Sequence, residues 1–385
     1  MAGWQQHLLR WSGAGLLDPE ATGRIQAYEA TRESDAGLRW PALLAWSFGG
    51  VLIGAGVLLF VAAHWANLSP AERVASVLAM VAAFHVAGAF AADHARALGT
   101  VLHAVGTVSL GAGIFLAGQI FHLQEHWPGG VMLWALGAGV AYVLLRDPAQ
   151  AALLALLVPV WLVGEWSVAA SYASHNGLVP ASGLTLLAVV YFTAPGPDTA
   201  SGQRRALMWI GGLALIPTTL FLAALGGWVG RSTREPLSGE LSTVGWVLAL
   251  ALPLALGGFL RRRQAWWHGL AALWVLLLGS TTRMPKGVLL AEAWAELGPY
   301  LLCGSFAVLL VWWGLSDARR ERVNMGIAGF GLTVLFFYFD SVMDKLSRSL
   351  SLISLGLLLL FLGWGLHRTR RALLAHLEDT PEARP

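Results

Sequence analysis

The chain has 385 residues, of which 56% are hydrophobic and 12% charged, and its mean hydropathy is +0.62. This composition excludes an ordinary soluble domain and is typical of a polytopic membrane protein. The net charge is only +3, and basic residues beside membrane helices set orientation and contact lipid headgroups, so no nucleic-acid partner is expected. The single cysteine, Cys303, excludes an intrachain disulfide.

Residues 1–38 predict a small cytoplasmic helical hairpin. Trp4, Leu8 and Trp11 have near-helical spacing, Gly13 to Gly15 interrupts the helix, and Asp18 before a proline has the features of an N-cap. Two interpretations stay open: a docking or self-association hairpin, or an amphipathic pair resting on the membrane surface. No cleavable signal peptide is evident, so the first span is expected to act as an uncleaved anchor.

The remainder of the chain predicts an all-α, polytopic transmembrane helical bundle, because a spanning helix needs roughly 20 apolar residues. Twelve apolar segments have suitable length, at approximately 41–63, 74–92, 98–118, 129–145, 149–164, 178–194, 206–228, 241–260, 264–282, 297–315, 323–339 and 350–367. Ten spans is the alternative, since the pair 129–145 and 149–164 is the weakest and its removal keeps the alternation of the loops.

Lys and Arg alternate strongly between the loops and so predict the orientation. One set of connections holds 18 of the 25 Lys and Arg residues and the other set holds 7. Cytoplasmic loops are enriched in these residues, so both termini should be cytoplasmic in a bacterial-type inner membrane. The set of 18 comprises Arg10, Arg24, Arg32, Arg39, Arg96, Arg146, Arg204, Arg205, Arg261 to Arg263, Arg319, Arg320, Arg322, Arg368, Arg370, Arg371 and Arg384. The predicted divisions are a hairpin at 1–38, a membrane half at 39–194, a cytoplasmic linker at 195–205, a second membrane half at 206–367 and a cytoplasmic tail at 368–385.

The predicted outer turns carry the polar side chains of greatest interest, and we expect these to converge on the outer face. This candidate outer-face cluster comprises His64, Trp65, Asn67, Gln119, His122, Glu125 and His126. Glu165 and His175 border the next outer connection. Asp340 and Asp344 open the last one.

Part of this cluster matches a zinc signature of the form H-x-x-E-H. On a helix, His122 and His126 would share one face, with Glu125 beside them as a base. A peptidase also needs a third ligand and a substrate cleft, and neither is visible in the sequence. We therefore assign no metal, no cofactor and no catalytic residue, and keep a metal bound by His122 and His126 as a minor alternative.

His85 and His103 fall inside predicted spans, where ionisable side chains are costly. One interpretation is a proton or ligand path. The other is a neutral imidazole that hydrogen-bonds to a neighbouring helix, since histidine is easily buried in its neutral form. Glycines within the spans, such as Gly50 and Gly54, predict close helix packing and make a homo-oligomer an alternative.

Three stretches of the first 150 residues resemble a bacterial family of predicted membrane proteins catalogued as domain of unknown function 2157. These stretches are GLLDPE from Gly15, GAGVLLFVAAHW from Gly54 and GQIFHL from Gly118, followed by Trp134. The family usually has Asn where this chain has His64, whereas Gln119 fits its pattern. Glu125 and His126 lie beyond the part that is similar. The resemblance implies a membrane protein and no specific activity.

The favoured functional interpretation is a non-enzymatic scaffold or a partner subunit of an envelope complex. It rests on the lack of catalytic motifs, the predicted hairpin and the glycine-rich helix faces. A small-molecule or ion transporter or channel is the alternative, suggested by the number of spans and by His85. A membrane enzyme that uses the outer histidines and Glu125 is a third hypothesis. The expected partners are membrane lipids and another envelope protein or a second copy of this chain.

Overall fold

In the computed structural model, every regular element among the described residues is a helix. The structure describes residues 8, 11–36, 48, 49, 52, 56, 68–93, 95–120, 126–171, 177–195, 201–229, 238–281, 289–345 and 347–379. The chain divides into two compact units, Met1–Phe121 and His122–Pro385, hereafter unit 1 and unit 2.

A short helical turn near the N-terminus ends at Gly15, whose φ of 71° places it in the left-handed region. Leu16 N donates to Trp11 O at 3.0 Å and Gly15 N donates to Ser12 O at 3.1 Å, which is the Schellman pattern of a helix end. Helix α1, Pro19–Ala36, then begins with Asp18 Oδ1 accepting from the backbone N–H of Ala21. The break and the cap lie where the sequence places them.

The other helices follow in chain order and coincide with the predicted segments from 74–92 onward. They are α2 (Pro70–Ala92), α3 (Arg96–Ile120), α4 (Trp127–Leu145), α5 (Pro148–Ala169), α6 (Leu178–Phe192), α7 (Gly202–Val229), α8 (Gly239–Leu260), α9 (Trp266–Ser280), α10 (Leu289–Ser316), α11 (Arg320–Phe337) and α12 (Arg348–Asp379). The predicted first span, 41–63, falls almost wholly outside the described residues.

Nine helices among the described residues are long and apolar enough to cross a membrane, and this supports a multi-pass location. The weakest predicted pair, now α4 and α5, is among the nine. Helices α6 and α9 are apolar but have only 15 residues each. At 1.5 Å per residue each is about 22 Å long, less than the roughly 30 Å of a bilayer core. The number of spans and their orientation therefore stay predictions.

In unit 1, α2 and α3 pack as an antiparallel pair. A capping box begins α2, where Ser69 N donates to the Glu72 carboxylate at 2.7 Å and Glu72 N donates to Ser69 Oγ at 3.4 Å. Glycines on α3 permit the close approach of the two helices. A Cβ built at Gly113 would lie 2.3 Å from a methyl group of Val77, so any larger residue there would force the helices apart.

In unit 2, the short helix α6 lies at the centre, and α7, α8 and α9 pack around it. Its buried side chains, such as Leu186 and Val189, join one continuous apolar cluster with residues of α7, α9 and α10. The approach of α7 is especially close, because a Cβ at Gly211 would lie 2.3 Å from the backbone N of Phe192. Helices before and after the predicted 195–205 linker thus belong to one packed unit.

Candidate functional site

His85 and His103 meet between α2 and α3. Their Nδ1 atoms are 3.1 Å apart, so one ring donates its N–H while the other accepts. His103 is only 6% exposed and His85 is half-buried. The structure therefore brings together the two histidines that the sequence analysis assigns separately to predicted spans, and each is a hydrogen-bond partner of the other.

Two glycines provide the space for this histidine pair. A Cβ at Gly88 would lie 2.9 Å from the ring of His103, and a Cβ at Gly106 would lie 2.9 Å from the ring of His85. Both helices thus carry a His-x-x-Gly sequence, and in the antiparallel pair each imidazole lies over the glycine of the opposite helix. The arrangement positions two titratable rings side by side between α2 and α3.

A third histidine, His126, pairs with a carboxylate at the predicted outer end of unit 2. His126 immediately precedes α4, and its Nε2 lies 2.6 Å from Glu165 Oε2 on α5. Trp161 Nε1 donates to the other carboxylate oxygen at 2.9 Å. Both members of the pair are substantially exposed, with 54% and 37% of their side-chain surfaces accessible, so its net stabilisation should be below about 1 kcal/mol.

Glu165 also lies at one end of a long groove of about 380 Å³. Helices α5 and α8 form the sides of this groove and α6 forms its floor. Its lining is apolar apart from Glu165 and Tyr191. The Tyr191 hydroxyl donates to the carbonyl of Ala155 at 3.1 Å. At the Glu165 end, the ring of Trp166 reaches across to Gly245 on α8.

At the opposite end of unit 2, a buried carboxylate joins two guanidinium groups. Asp317 accepts hydrogen bonds from Arg261 and Arg322, and all three residues are at least 94% buried. Gln264 Nε2 donates to the second oxygen of Asp317 at 3.1 Å. The indole of Trp313 lies 5.1 Å from the guanidinium carbon of Arg322, a cation–π contact.

The same guanidinium groups donate to backbone carbonyls that come just after the last residue of α6. Arg322 Nη2 donates to Pro195 O at 2.7 Å and to Thr193 O at 3.2 Å, and Arg261 Nη1 donates to Pro195 O at 3.0 Å. Arg204 Nη1 donates to Ala194 O at 3.1 Å. Cations near a helix C-terminus are favourable for the helix dipole, and these bonds satisfy backbone carbonyls of the connection that follows α6.

The charges of this arginine cluster perturb one another. Burial lowers the pKa of Arg261, and the positive charges of Arg319 and Arg204 act in the same direction, while Asp317 opposes them. Burial acts to raise the pKa of Asp317, but Arg322 and Arg261 together outweigh it and hold that pKa below its ordinary value. Asp317 is therefore ionised in the folded protein at neutral pH.

Sequence reasoning missed this cluster because it treated the arginines only as signals of orientation. The one clue is Asp317, a carboxylate between the apolar end of α10 and the basic residues Arg319 and Arg320. Nothing in the sequence says that these residues converge on the end of α6, since the partners are 56 and 129 positions apart.

The candidate outer-face cluster is only partly described. His64, Trp65, Asn67, His122 and Glu125 lie outside the described residues. Gln119 is exposed next to the last residue of α3, in unit 1. His126 is paired with Glu165, a contact that the sequence did not predict. No group of three metal-ligating side chains occurs among the residues that the structure describes.

Residues 9–151 match the model of a family described as predicted membrane protein DUF2157. No curated protein and no solved structure matches the chain. The N-terminal resemblance that the sequence motifs suggest is thus confirmed over that range, where the chain is similar to the DUF2157 predicted membrane proteins.

Proposed function

We propose that the protein is a non-enzymatic scaffold or partner subunit of an envelope complex in a bacterial-type inner membrane, with both termini cytoplasmic. The observation that carries this proposal is the hydrogen bonding of the buried charged side chains at one end of unit 2. Arg261, Asp317 and Arg322 bond to one another and to helix-end carbonyls, so they hold helices in place. On the side of α6 that faces α7, α9 and α10, packed apolar side chains form the core of unit 2.

A rigid helical frame of this kind is suited to presenting surfaces to other membrane proteins. Site-specific photo-crosslinking in intact cells tests this directly. We would place a photoreactive residue at Leu360, which is 72% exposed on α12, and as a matched control at Leu222, which is fully buried in the core of unit 2. The expected result is a discrete protein adduct from position 360 and none from 222. The proposal is contradicted if position 360 gives no protein adduct and the protein isolated in native nanodiscs is monomeric and has no bound partner.

A transporter is the second candidate, because His85 and His103 are hydrogen-bonded to each other and both belong to predicted spans of unit 1. Proteoliposomes loaded with a pH-sensitive dye provide the test. Proton movement that requires His85, and is lost in His85→Gln, would support transport. His367→Gln is the matched control, because His367 is an exposed histidine on α12. Equal proton movement in wild type, His85→Gln and protein-free vesicles excludes this candidate.

A further inference from the structure

We propose that the groove between α5 and α8 binds one acyl chain of a phospholipid, with the phosphate at the arginine-rich end. The groove follows α8 from Leu241 to Leu256, a distance of about 22 Å at 1.5 Å per residue. Such a length suits an extended hydrocarbon chain lying parallel to the helices. The site is separate from the histidine pair of unit 1 and from the scaffold role proposed above.

The length and the charges of the groove favour a lipid chain as its occupant. A flexible hydrocarbon chain can follow an apolar groove of this length while keeping carbon contacts of about 4 Å. The cations at one end add a site for a phosphate, which an apolar partner helix would not use.

The lining of the groove has the matching chemistry. Leu162, Leu184, Leu248 and Leu252 contribute apolar surface from all three helices. Apolar walls without a partner lose their dispersion contacts, so an occupant of this shape is favoured over an empty groove. The one carboxylate, Glu165, is at the end of the groove and pairs with His126.

The charges at the two ends decide which end holds the phosphate. At the Trp166 end, Glu165 and His126 bond to each other, so this end does not attract an anion. At the other end, Arg204 Nη1 donates to Leu260 O at 2.9 Å, and Leu260 is one turn beyond Leu256 of the groove lining. This bond holds a guanidinium about one helical turn beyond the last lining residue on α8.

Two exposed arginines are close in the chain to the residues of this bond. Arg205 follows Arg204 in the first turn of α7, and Arg262 follows the last residues of α8. Guanidinium groups recognise phosphate through charge-assisted hydrogen bonds, and basic sites beside spanning helices bind lipid headgroups. The phosphate of a lipid whose chain enters the groove would lie among these cations.

Native mass spectrometry of the full-length protein released from mild detergent tests the proposal. The probes are phosphatidylglycerol, a diacylglycerol with the same acyl chains, and inorganic phosphate alone. We expect one phosphatidylglycerol to stay bound per chain under activation that removes surface lipids. The diacylglycerol should bind more weakly because it lacks the phosphate, and inorganic phosphate should leave no adduct because it cannot use the groove.

Paired variants separate the groove from the arginines. Leu248→Trp fills the groove and should lower retention of both lipids at least about fivefold, whereas Leu213→Trp, at a position 75% exposed on α7, should change neither. The double variant Arg205→Gln/Arg262→Gln should weaken phosphatidylglycerol alone, by about fivefold per arginine. Arg368→Gln removes one charge from α12 and serves as its control.

Several results would overturn the proposal. Equal losses in Leu248→Trp and Leu213→Trp would show that the retained lipid is annular. Equal retention of phosphatidylglycerol and the diacylglycerol would show that no phosphate is recognised. Stable binding of inorganic phosphate alone would show an anion site without a lipid, and a protein crosslink from position 248 would show a different occupant. Matching thermal melting of the variants confirms that each one is folded.

Discussion

Replacing Asp317 with asparagine should destabilise unit 2 more than any other single charge removal at this end of the bundle. Asp317 is 3% exposed and is the carboxylate that joins Arg261 to Arg322. Its removal leaves two buried guanidinium groups facing a neutral amide. Breaking a buried ion pair by removing one partner costs about 3–5 kcal/mol. The asparagine oxygen can still accept one hydrogen bond, so we expect a loss near 3 kcal/mol.

The assay is thermal unfolding of the full-length protein in one detergent, followed by tryptophan fluorescence. A loss of about 3 kcal/mol corresponds to a fall in Tm of roughly 6–12 °C for a domain of this size. Glu321→Gln is the control, because Glu321 is exposed only four positions away, and it should shift Tm by no more than about 2 °C. A fall for Asp317→Asn as small as for the control would refute the view that this cluster anchors α6.

The other predictions concern pH and two close glycine contacts. The pKa of Asp317 is lower in the folded than in the unfolded chain, so its stabilisation is present above the unfolded value of about 4 and is lost as pH falls through the folded value. The Tm difference between wild type and Asp317→Asn should thus be full at pH 7 and shrink below about pH 4; a constant difference would argue against ionised Asp317. Gly211→Ala should lower Tm, because its Cβ would lie 2.3 Å from the backbone of α6, and overpacking costs about 1–3 kcal/mol. Gly258→Ala, with open space around it, should leave Tm unchanged or slightly higher, and equal effects of the two would contradict the packing. Gly106→Ala should displace His85 and abolish its bond to His103, seen as a changed imidazole signal in nitrogen-15 NMR, whereas Gly118→Ala should preserve the wild-type signal.

The helices of this protein could be predicted well because a spanning helix has a local sequence pattern. A run of roughly 20 apolar residues identifies a span without knowledge of its neighbours. The cap at Asp18 and the break at Gly15 were likewise predictable, since both depend on residues within one or two turns. Such runs cannot show that α6 is surrounded by other helices. An apolar helix at the centre of a bundle and one that faces lipid have similar compositions.

The contacts between distant residues were much less predictable. His85 and His103 could each be identified as unusual, yet their pairing depends on the register of α2 against α3, which the two glycine positions determine. The arginine cluster was not predicted because the orientation rule already accounted for these basic residues. Arg261 and Arg322 fit an orientation rule based only on counts of basic residues, and that rule contains nothing about hydrogen-bond partners.

The bonds from arginine to the end of α6 give the same residues two roles at different times. In the predicted orientation, Arg204, Arg261 and Arg322 would act during membrane insertion as solvated charges, for which only number and position along the chain matter. After folding, they act through the planar geometry of the guanidinium group on specific carbonyls. Lysine could replace arginine in the first role but not in the second, because it lacks the rigid fork of donors. The folded bundle therefore requires arginine at these positions, whereas the predicted orientation requires only a basic residue.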